Sequence, residues 1–183
     1  MQRAVFLDRD GTLIVEKNYL HRVEEVELFP DAIAALKRLQ DAGFLLFIVS
    51  NQSGVGRGYF TMDDVNRVSE HIASECARSG VRFEKIYIAP EHPDALSHGR
   101  KPSPQFLFDA RDEFGLDLSQ SYVIGDKLTD LECGWNAGVK KSVLVRTGYG
   151  AELEREFPDK LQRAVIVDGL SGAADAILNG TSL

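Results

Sequence analysis

Short, continuously apolar runs alternate along the chain with longer stretches in which apolar residues recur at spacings of three and four. The short runs predict buried strands at residues 4–7, 44–49, 86–88, 122–124, 142–145 and, at an edge of the sheet, 164–167. The longer stretches predict helices over about residues 31–42, 61–79, 106–114, 128–137 and 171–178.

This alternation of strands and helices predicts the fold class. Strands that are apolar throughout must be covered on both faces, so the sheet should be mostly parallel. We expect one α/β domain over residues 1–183, with a doubly wound, Rossmann-like sheet and helices on both faces. No separate cap domain is expected, because one helix and a loop fill the segment between Thr12 and Ser50. In such sheets ligands bind beyond the carboxyl ends of the strands.

Carboxylates follow two of the predicted strands directly. Asp8 and Asp10 come after the first strand, and Asp126 comes after the fourth. Two carboxylates at this spacing repel each other unless a metal ion or a cationic side chain lies between them. An Asx-type turn bent at Gly11 is the alternative for the first pair. A helix N-cap is the alternative for Asp126.

Polar and cationic residues follow the other two central strands. The second strand ends in Ser50-Asn51-Gln52-Ser53-Gly54, where hydroxyl, amide and backbone N–H groups would suit phosphate oxygens. Taken alone, this could be an ordinary glycine-rich connection, and it matches neither the Walker A loop nor the dinucleotide fingerprint. The loop after the third strand ends in Arg100-Lys101, which alone could be a solvated surface pair.

The four strand ends predict one site when they are taken together. The carboxyl ends of parallel strands meet at one edge, so Asp8, Asp10 and Asp126 should converge beside Ser50 and Lys101. Three hard oxygen ligands around an open site suit Mg²⁺. The lysine would neutralise phosphate charge, so we expect a magnesium-dependent site for a small phosphorylated metabolite.

These segments, in this order, resemble the haloacid dehalogenase superfamily of aspartyl phosphatases. The shared pattern is D-x-D-G-T, a strand-end Ser or Thr, a Lys, and G-D-x-x-x-D, spread here over residues 8–130. The resemblance extends to the subfamily of heptose-bisphosphate and histidinol-phosphate phosphatases. It covers nearly the whole chain, up to the strand end at Val145-Arg146-Thr147-Gly148.

The resemblance implies a role for each matching residue. Asp8 is expected to be the nucleophile, and Asp10 the general acid and base, with its backbone carbonyl facing the metal. Asp126 completes the Mg²⁺ ligands, and Ser50 and Lys101 hold the phosphoryl group. The candidate substrate-binding residues, which include cations that could hold a second phosphate, are Arg9, Glu16, Lys17, Asn18, Tyr19, Asn51, Gln52, Ser53, Arg57, Arg100 and Lys127.

One departure from the subfamily concerns a loop that commonly holds zinc through three cysteines and a histidine. Here residues 89–99 contain His92 and His98 but no cysteine. A structural zinc site needs four nitrogen or sulfur ligands, so no structural zinc is expected. Because this loop lies over the site, its change leaves three candidate substrates: a heptose bisphosphate, histidinol phosphate or another small phosphomonoester.

Composition narrows the partners. The net charge of −7 argues against a nucleic-acid or membrane-surface binder, since such partners need a positive face. No signal region of the secretory kind precedes the first strand, so a cytoplasmic protein is expected, and a monomer by default. Two other classes compete with an active phosphatase: a signalling receiver domain, which would lack an acid at position 10, and an inactive phosphatase that serves as a binding scaffold.

Overall fold

A six-stranded sheet forms the centre of the computed structural model, which describes residues 1–180. The strands are β1 (Arg3–Leu7), β2 (Phe44–Asn51), β3 (Phe83–Ala89), β4 (Tyr122–Gly125), β5 (Lys141–Val145) and β6 (Val165–Val167). Their order across the sheet is β3-β2-β1-β4-β5-β6, and every neighbouring pair is parallel. The predicted parallel α/β fold is therefore confirmed, with β6 at an edge.

Within residues 1–180, seven α-helices connect or flank the strands. They are α1 (Ala32–Asp41), α2 (Ser53–Gly56), α3 (Met62–Arg78), α4 (Gln105–Phe114), α5 (Leu128–Ala137), α6 (Gly150–Glu156) and α7 (Leu170–Leu178). The sequence pattern did not predict α2 or α6. The first has only four residues and the second is mostly exposed and charged, so neither shows an apolar period.

The alternating side chains of the strands build two cores. In β1, Val5 and Leu7 pack into the core shared with α1, α3 and α7. Ala4 and Phe6 point to the opposite face and pack against residues of α4 and α5. Helices thus cover both faces of the sheet, as the apolar character of its strands predicts. No helix within residues 1–180 has the length and apolar character needed to cross a bilayer.

The strand order creates a cleft at the carboxyl end of β1. The chain moves outward from β1 through β2 to β3, and then returns to the other side of β1 at β4. Loops that leave β1 and β4 therefore diverge, and this topological switch point is where open α/β sheets bind ligands. The ends of β1, β2, β3 and β4 bring Leu7, Asn51, Ala89 and Gly125 to the same edge.

We predict that Thr61→Ala destabilises the protein by about 1 kcal/mol, because Thr61 caps α3. Its hydroxyl accepts a hydrogen bond from the Asp64 backbone N–H (3.2 Å), and the Asp64 carboxylate accepts one from the Thr61 backbone N–H (2.8 Å). Urea unfolding monitored by circular dichroism measures the change. Thr61→Ser, which keeps the hydroxyl, is the matched control, and equal stability of the two variants would contradict the capping role.

Candidate active site

Three buried carboxylates meet at the switch point. Asp8 follows β1, Asp126 follows β4, and Asp130 lies in the first turn of α5. One carboxylate oxygen from each lies within 4.8 Å of the others, and all three residues are buried. Such a group of like charges is stable only when cations compensate it.

Lys101 supplies the buried positive charge. Its Nζ lies 2.6 Å from Asp8 Oδ1 and 2.7 Å from Asp130 Oδ1, and it also donates to the Val49 carbonyl at 2.6 Å. Burial alone would lower the pKa of Lys101, but the two carboxylates raise it above its ordinary value. The amine therefore stays charged, between the end of β2 and the acidic group.

Asn51 fixes the segment that carries this lysine. Its side-chain Oδ1 accepts from the Lys101 backbone N–H at 3.0 Å, and its Nδ2 donates to the Lys101 carbonyl at 3.1 Å. The amide thus pairs with the backbone of Lys101 as a neighbouring strand would. This pairing explains why an amide at the end of β2 matters to the position of a side chain 50 residues away in sequence.

The loop after β5 closes the site around Asp126. The Tyr149 backbone N–H donates to Asp126 Oδ2 at 2.9 Å. A Cβ at Gly148 would lie 2.2 Å from that oxygen, and one at Gly11 would lie 2.3 Å from it. Both glycines also have positive φ, at +55° and +88°, a conformation that L side chains rarely adopt. Only glycine at these two positions allows the backbone to approach the carboxylate so closely.

Asp126 has the features of a metal ligand. Its Oδ1 is buried and has no hydrogen-bond partner among residues 1–180. Asp130 differs, since its two oxygens are engaged by Lys101 Nζ and by the Lys127 backbone N–H at 2.9 Å. Hard carboxylate oxygens beside an unpartnered buried one fit Mg²⁺. The arrangement therefore suits a divalent cation between Asp8 and Asp126, with Asp130 orienting the lysine.

The pKa values of Asp8 and Asp126 are shifted in opposite directions. Burial alone would raise the pKa of Asp8, but the positive charges of Lys101 and Lys127 hold it below its ordinary value. Burial and the neighbouring charge of Asp8 raise the pKa of Asp126 to about 8. Without a metal ion, Asp8 is therefore the ionised carboxylate at neutral pH, while Asp126 carries a proton for much of the time.

Asp10 faces the open side of the site. Its Oδ2 accepts a hydrogen bond from Gln52 Nε2 at 2.9 Å, and the same amide donates to Ser50 Oγ at 2.8 Å. Gln52 therefore links the ends of β1 and β2. Ser50 itself is almost fully buried.

A cleft of about 550 Å³ opens above this group. Of the residues that the sequence marked as candidates, its wall includes Asp8, Asp10, Glu16, Asn18, Tyr19, Asn51, Gln52, Ser53, Arg100, Lys101 and Lys127. Lys127 Nζ lies 3.6 Å from Glu16 Oε2 and 5.0 Å from the centre of the Tyr149 ring. Cations and aromatic rings thus border the acidic floor.

Several predicted residues take other positions. Arg9, expected to contact substrate, is 1% exposed, pairs with Asp10 and does not line the cleft. Lys17 turns away, to Glu27 at 3.2 Å and the Glu25 carbonyl at 2.8 Å, and the exposed Arg57 does not line the cleft. The Asp10 carboxylate, predicted to face the same metal as Asp8, lies outside the acidic group; the expectation for its backbone carbonyl stays a prediction.

Sequence reasoning gave no role to Asp130 or Tyr149. Asp130 completes the buried acidic group, and Tyr149 both lines the cleft and binds Asp126 through its backbone. Asp130 was visible as the last residue of G-D-x-x-x-D, but it resembled an ordinary first-turn acid of a helix. Tyr149 follows β5, so the strand-end rule that located the other residues would have located this loop as well.

The loop over residues 89–99 places Arg100 at the cleft. Ser97 Oγ donates to Glu91 Oε2 at 2.7 Å and accepts from the Arg100 backbone N–H at 3.1 Å. His98 Nε2 lies 2.7 Å from Asp109 Oδ2 on α4, whereas His92 Nδ1 accepts from the Asp94 backbone N–H at 3.2 Å. The two histidines therefore have separate partners.

Comparison with known proteins identifies the family. The family model described as HAD-hydrolase-like matches residues 98–173. The D-glycero-beta-D-manno-heptose-1,7-bisphosphate 7-phosphatase of Photorhabdus laumondii is 38% identical over 181 residues, which cover 95% of this chain and 94% of that protein. The Escherichia coli K12 protein of the same name is 39% identical over 160 residues, covering 84% of each chain.

A solved structure shows the same architecture. The D,D-heptose 1,7-bisphosphate phosphatase of B. bronchiseptica, crystallised with magnesium and phosphate, is 27% identical and superposes with a TM-score of 0.88. The match covers 98% of this chain and all of that one. The chain therefore belongs to the haloacid dehalogenase-like hydrolases. It is a phosphatase, as its strand-end motifs predict.

We predict that the metal-free protein loses stability as the pH rises from 5.5 to 8. Between the ordinary carboxyl pKa and about 8, folded Asp126 keeps a proton that the unfolded chain has released, so raising the pH favours unfolding. Thermal unfolding in EDTA at several pH values measures this effect. Asp126→Asn should flatten the dependence, and an unchanged slope in that variant would assign it to other groups.

Proposed function

We propose that this protein is a magnesium-dependent phosphomonoesterase that removes the 7-phosphate of D-glycero-D-manno-heptose 1,7-bisphosphate through a phosphorylated Asp8. The observation that carries the proposal is the buried group of Asp8, Asp126 and Lys101, of which Asp8 and Lys101 line a cleft that Arg100 and Lys127 also border. The names of its 38% and 39% identical relatives support the choice of a heptose bisphosphate.

Asp8 is placed to attack phosphorus. It is the carboxylate at the floor of the cleft whose pKa is lowered, so it is available as an ionised nucleophile. In the first half-reaction an Asp8 oxygen bonds to phosphorus while the bond to the sugar oxygen breaks. The Asp10 carboxyl group gives its proton to that leaving oxygen, which would otherwise depart as a strong base.

The second half-reaction reverses the proton transfer. Asp10, now ionised, takes a proton from a water molecule as that water attacks phosphorus. The Asp8–phosphorus bond breaks, inorganic phosphate leaves, and both carboxyl groups return to their starting states. Its location on the open side of the floor, beside Gln52, gives Asp10 access to both the leaving oxygen and the water.

Charge stabilisation comes from the groups around Asp8. The transferring phosphoryl group spreads negative charge over three oxygens, which Lys101 and Ser50 would meet. Asp8, Asp126 and the Asp10 carbonyl would hold Mg²⁺. When bound there, the ion would supply a Lewis acid that neutralises phosphate charge.

The borders of the cleft favour a second phosphate on the substrate. Arg100 and Lys127 both line the cleft. Two cations would attract another phosphate group and would repel the ammonium group of histidinol phosphate. This charge pattern favours a sugar bisphosphate over histidinol phosphate. A panel of both substrates and simple sugar monophosphates, with and without Mg²⁺, tests the choice, and preference for histidinol phosphate would contradict it.

Asp8→Asn should abolish turnover without unfolding the protein, because the amide is a far weaker nucleophile of almost the same size. Phosphate release from p-nitrophenyl phosphate in Mg²⁺ measures turnover, and circular dichroism checks the fold. Asp63→Asn, on the surface of α3, is the matched control and should retain activity. Wild-type turnover in the Asp8 variant would rule out the covalent route.

Arg100→Met should raise the KM for the heptose bisphosphate about 10- to 100-fold, the equivalent of one charge-assisted hydrogen bond. It should change kcat/KM for p-nitrophenyl phosphate less than about threefold, which corresponds to less than about 1 kcal/mol. The reason is that this substrate has no second phosphate for Arg100 to contact. Arg82→Met, at an exposed residue just before β3, is the control. Equal losses on both substrates would place Arg100 at the transferring phosphate instead.

A further inference from the structure

Arg9 is the largest fully buried side chain within residues 1–180. Its Nε donates to Asp10 Oδ2 at 2.8 Å and its Nη2 donates to Asp10 Oδ1 at 3.1 Å, so the guanidinium binds both carboxylate oxygens. Nη2 also lies 3.4 Å from the Leu20 carbonyl, and Nη1 has no hydrogen-bond partner among the described residues. A buried charged side chain therefore contacts a cleft residue, Asp10, without lining the cleft itself.

Stability alone does not explain this arrangement. Replacing a buried ion pair by apolar residues of similar volume is often neutral or stabilising, because desolvation offsets the attraction between the charges. Here one donor of the guanidinium also lacks a partner, which adds to the cost. What the pair does provide is orientation, since a planar guanidinium that binds both oxygens of a carboxylate fixes its plane as well as its position.

The second contact of Arg9 connects Asp10 to the segment that borders the cleft. Leu20 is 2% exposed and anchors that segment in the core. Just before it, Asn18 and Tyr19 line the cleft with positive φ values of 48° and 62°, a conformation that costs non-glycine residues free energy. One guanidinium therefore contacts both the Asp10 carboxylate and the backbone end of this strained segment.

We propose that Arg9 is a positioning residue that holds the Asp10 carboxyl group in line with the leaving oxygen and ties it to the segment Glu16–Leu20. Arg9 itself touches no substrate. This inference rests on the proposed role of Asp10 as the proton donor. If the two hydrogen bonds from the Arg9 guanidinium to the Asp10 carboxylate are lost, proton donation to the leaving oxygen should weaken. The nucleophile, the metal ligands and Lys101 should continue to act.

A comparison of leaving groups tests this role without knowledge of the natural substrate. p-Nitrophenyl phosphate releases a phenol that is more acidic than the one from phenyl phosphate, so it depends less on a proton donor. Arg9→Lys keeps the positive charge but cannot donate to both Asp10 oxygens from one planar group. It should lower kcat/KM for phenyl phosphate about 10- to 100-fold, within the range that general acid catalysis supplies, and change p-nitrophenyl phosphate less than about threefold. Arg38→Lys, which pairs with Asp175 away from the site, is the control.

A double variant separates positioning from folding. Arg9→Met combined with Asp10→Asn removes both charges, so no unpaired buried charge remains to destabilise the protein. If Arg9 acts through Asp10, this variant should match Asp10→Asn alone on both substrates. An additional loss of more than about tenfold, or equal losses on the two substrates in Arg9→Lys, would overturn the inference. Turnover of p-nitrophenyl phosphate by the wild-type protein, with and without Mg²⁺, tests the proposed function separately: Mg²⁺-independent turnover would contradict that function, whereas equal losses in Arg9→Lys would contradict only the role of Arg9.

Discussion

An excess of buried negative charge is the constraint on which this site depends. Asp8, Asp126 and Asp130 have carboxylate oxygens within 4.8 Å of one another, and Lys101 is the buried cation in contact with Asp8 and Asp130. Lys127 adds a second positive charge from a more exposed position. Burial raises the pKa of Asp126 to about 8, and the charge of Asp8 contributes, because one buried amine does not neutralise three carboxylates. A divalent cation would remove this imbalance, and a phosphate group could then approach Asp8.

The fold creates this imbalance because it brings together loops that are distant in the sequence. β1 lies between β2 and β4 at the centre of a parallel sheet, so three strands deliver their polar ends to one place. Asn51 holds the backbone of Lys101, and the loop after β5 packs glycine against Asp126. The acidic group is therefore held in place both by backbone donors of its own loops and by segments that follow other strands, such as the loop after β5 and the Lys101 segment fixed by β2.

The strands and the location of the site could be predicted from short stretches of the sequence. Continuous apolar runs such as Phe44–Val49 predicted the strands, and strand ends rich in carboxylates predicted the location of the site. The direction of individual side chains was harder to infer. Arg9 and Lys17 were both predicted to contact substrate because both are cations near the motif. In the folded chain Arg9 pairs with the adjacent Asp10 and Lys17 pairs with Glu27, and sequence position alone does not determine these side-chain directions.

The same limit applies to residues that the sequence analysis passed over. Asp130 could be a first-turn helix acid, and only its distance to Lys101 shows that it belongs to the charged group. Tyr149 acts through its backbone N–H, which carries no residue-specific signal in the sequence. Side-chain chemistry at strand ends could thus be predicted, whereas backbone donors and buried partners required the folded structure.

Calorimetric titration of the metal-free protein with Mg²⁺ near pH 7.5, in buffers of different ionisation enthalpy, tests the central claim most directly. If the acidic group lacks positive charge, Mg²⁺ should bind and displace a proton from Asp126, and Asp126→Asn should lose both the proton release and most of the affinity. The absence of Mg²⁺ binding, or equal affinity in that variant, would contradict the account.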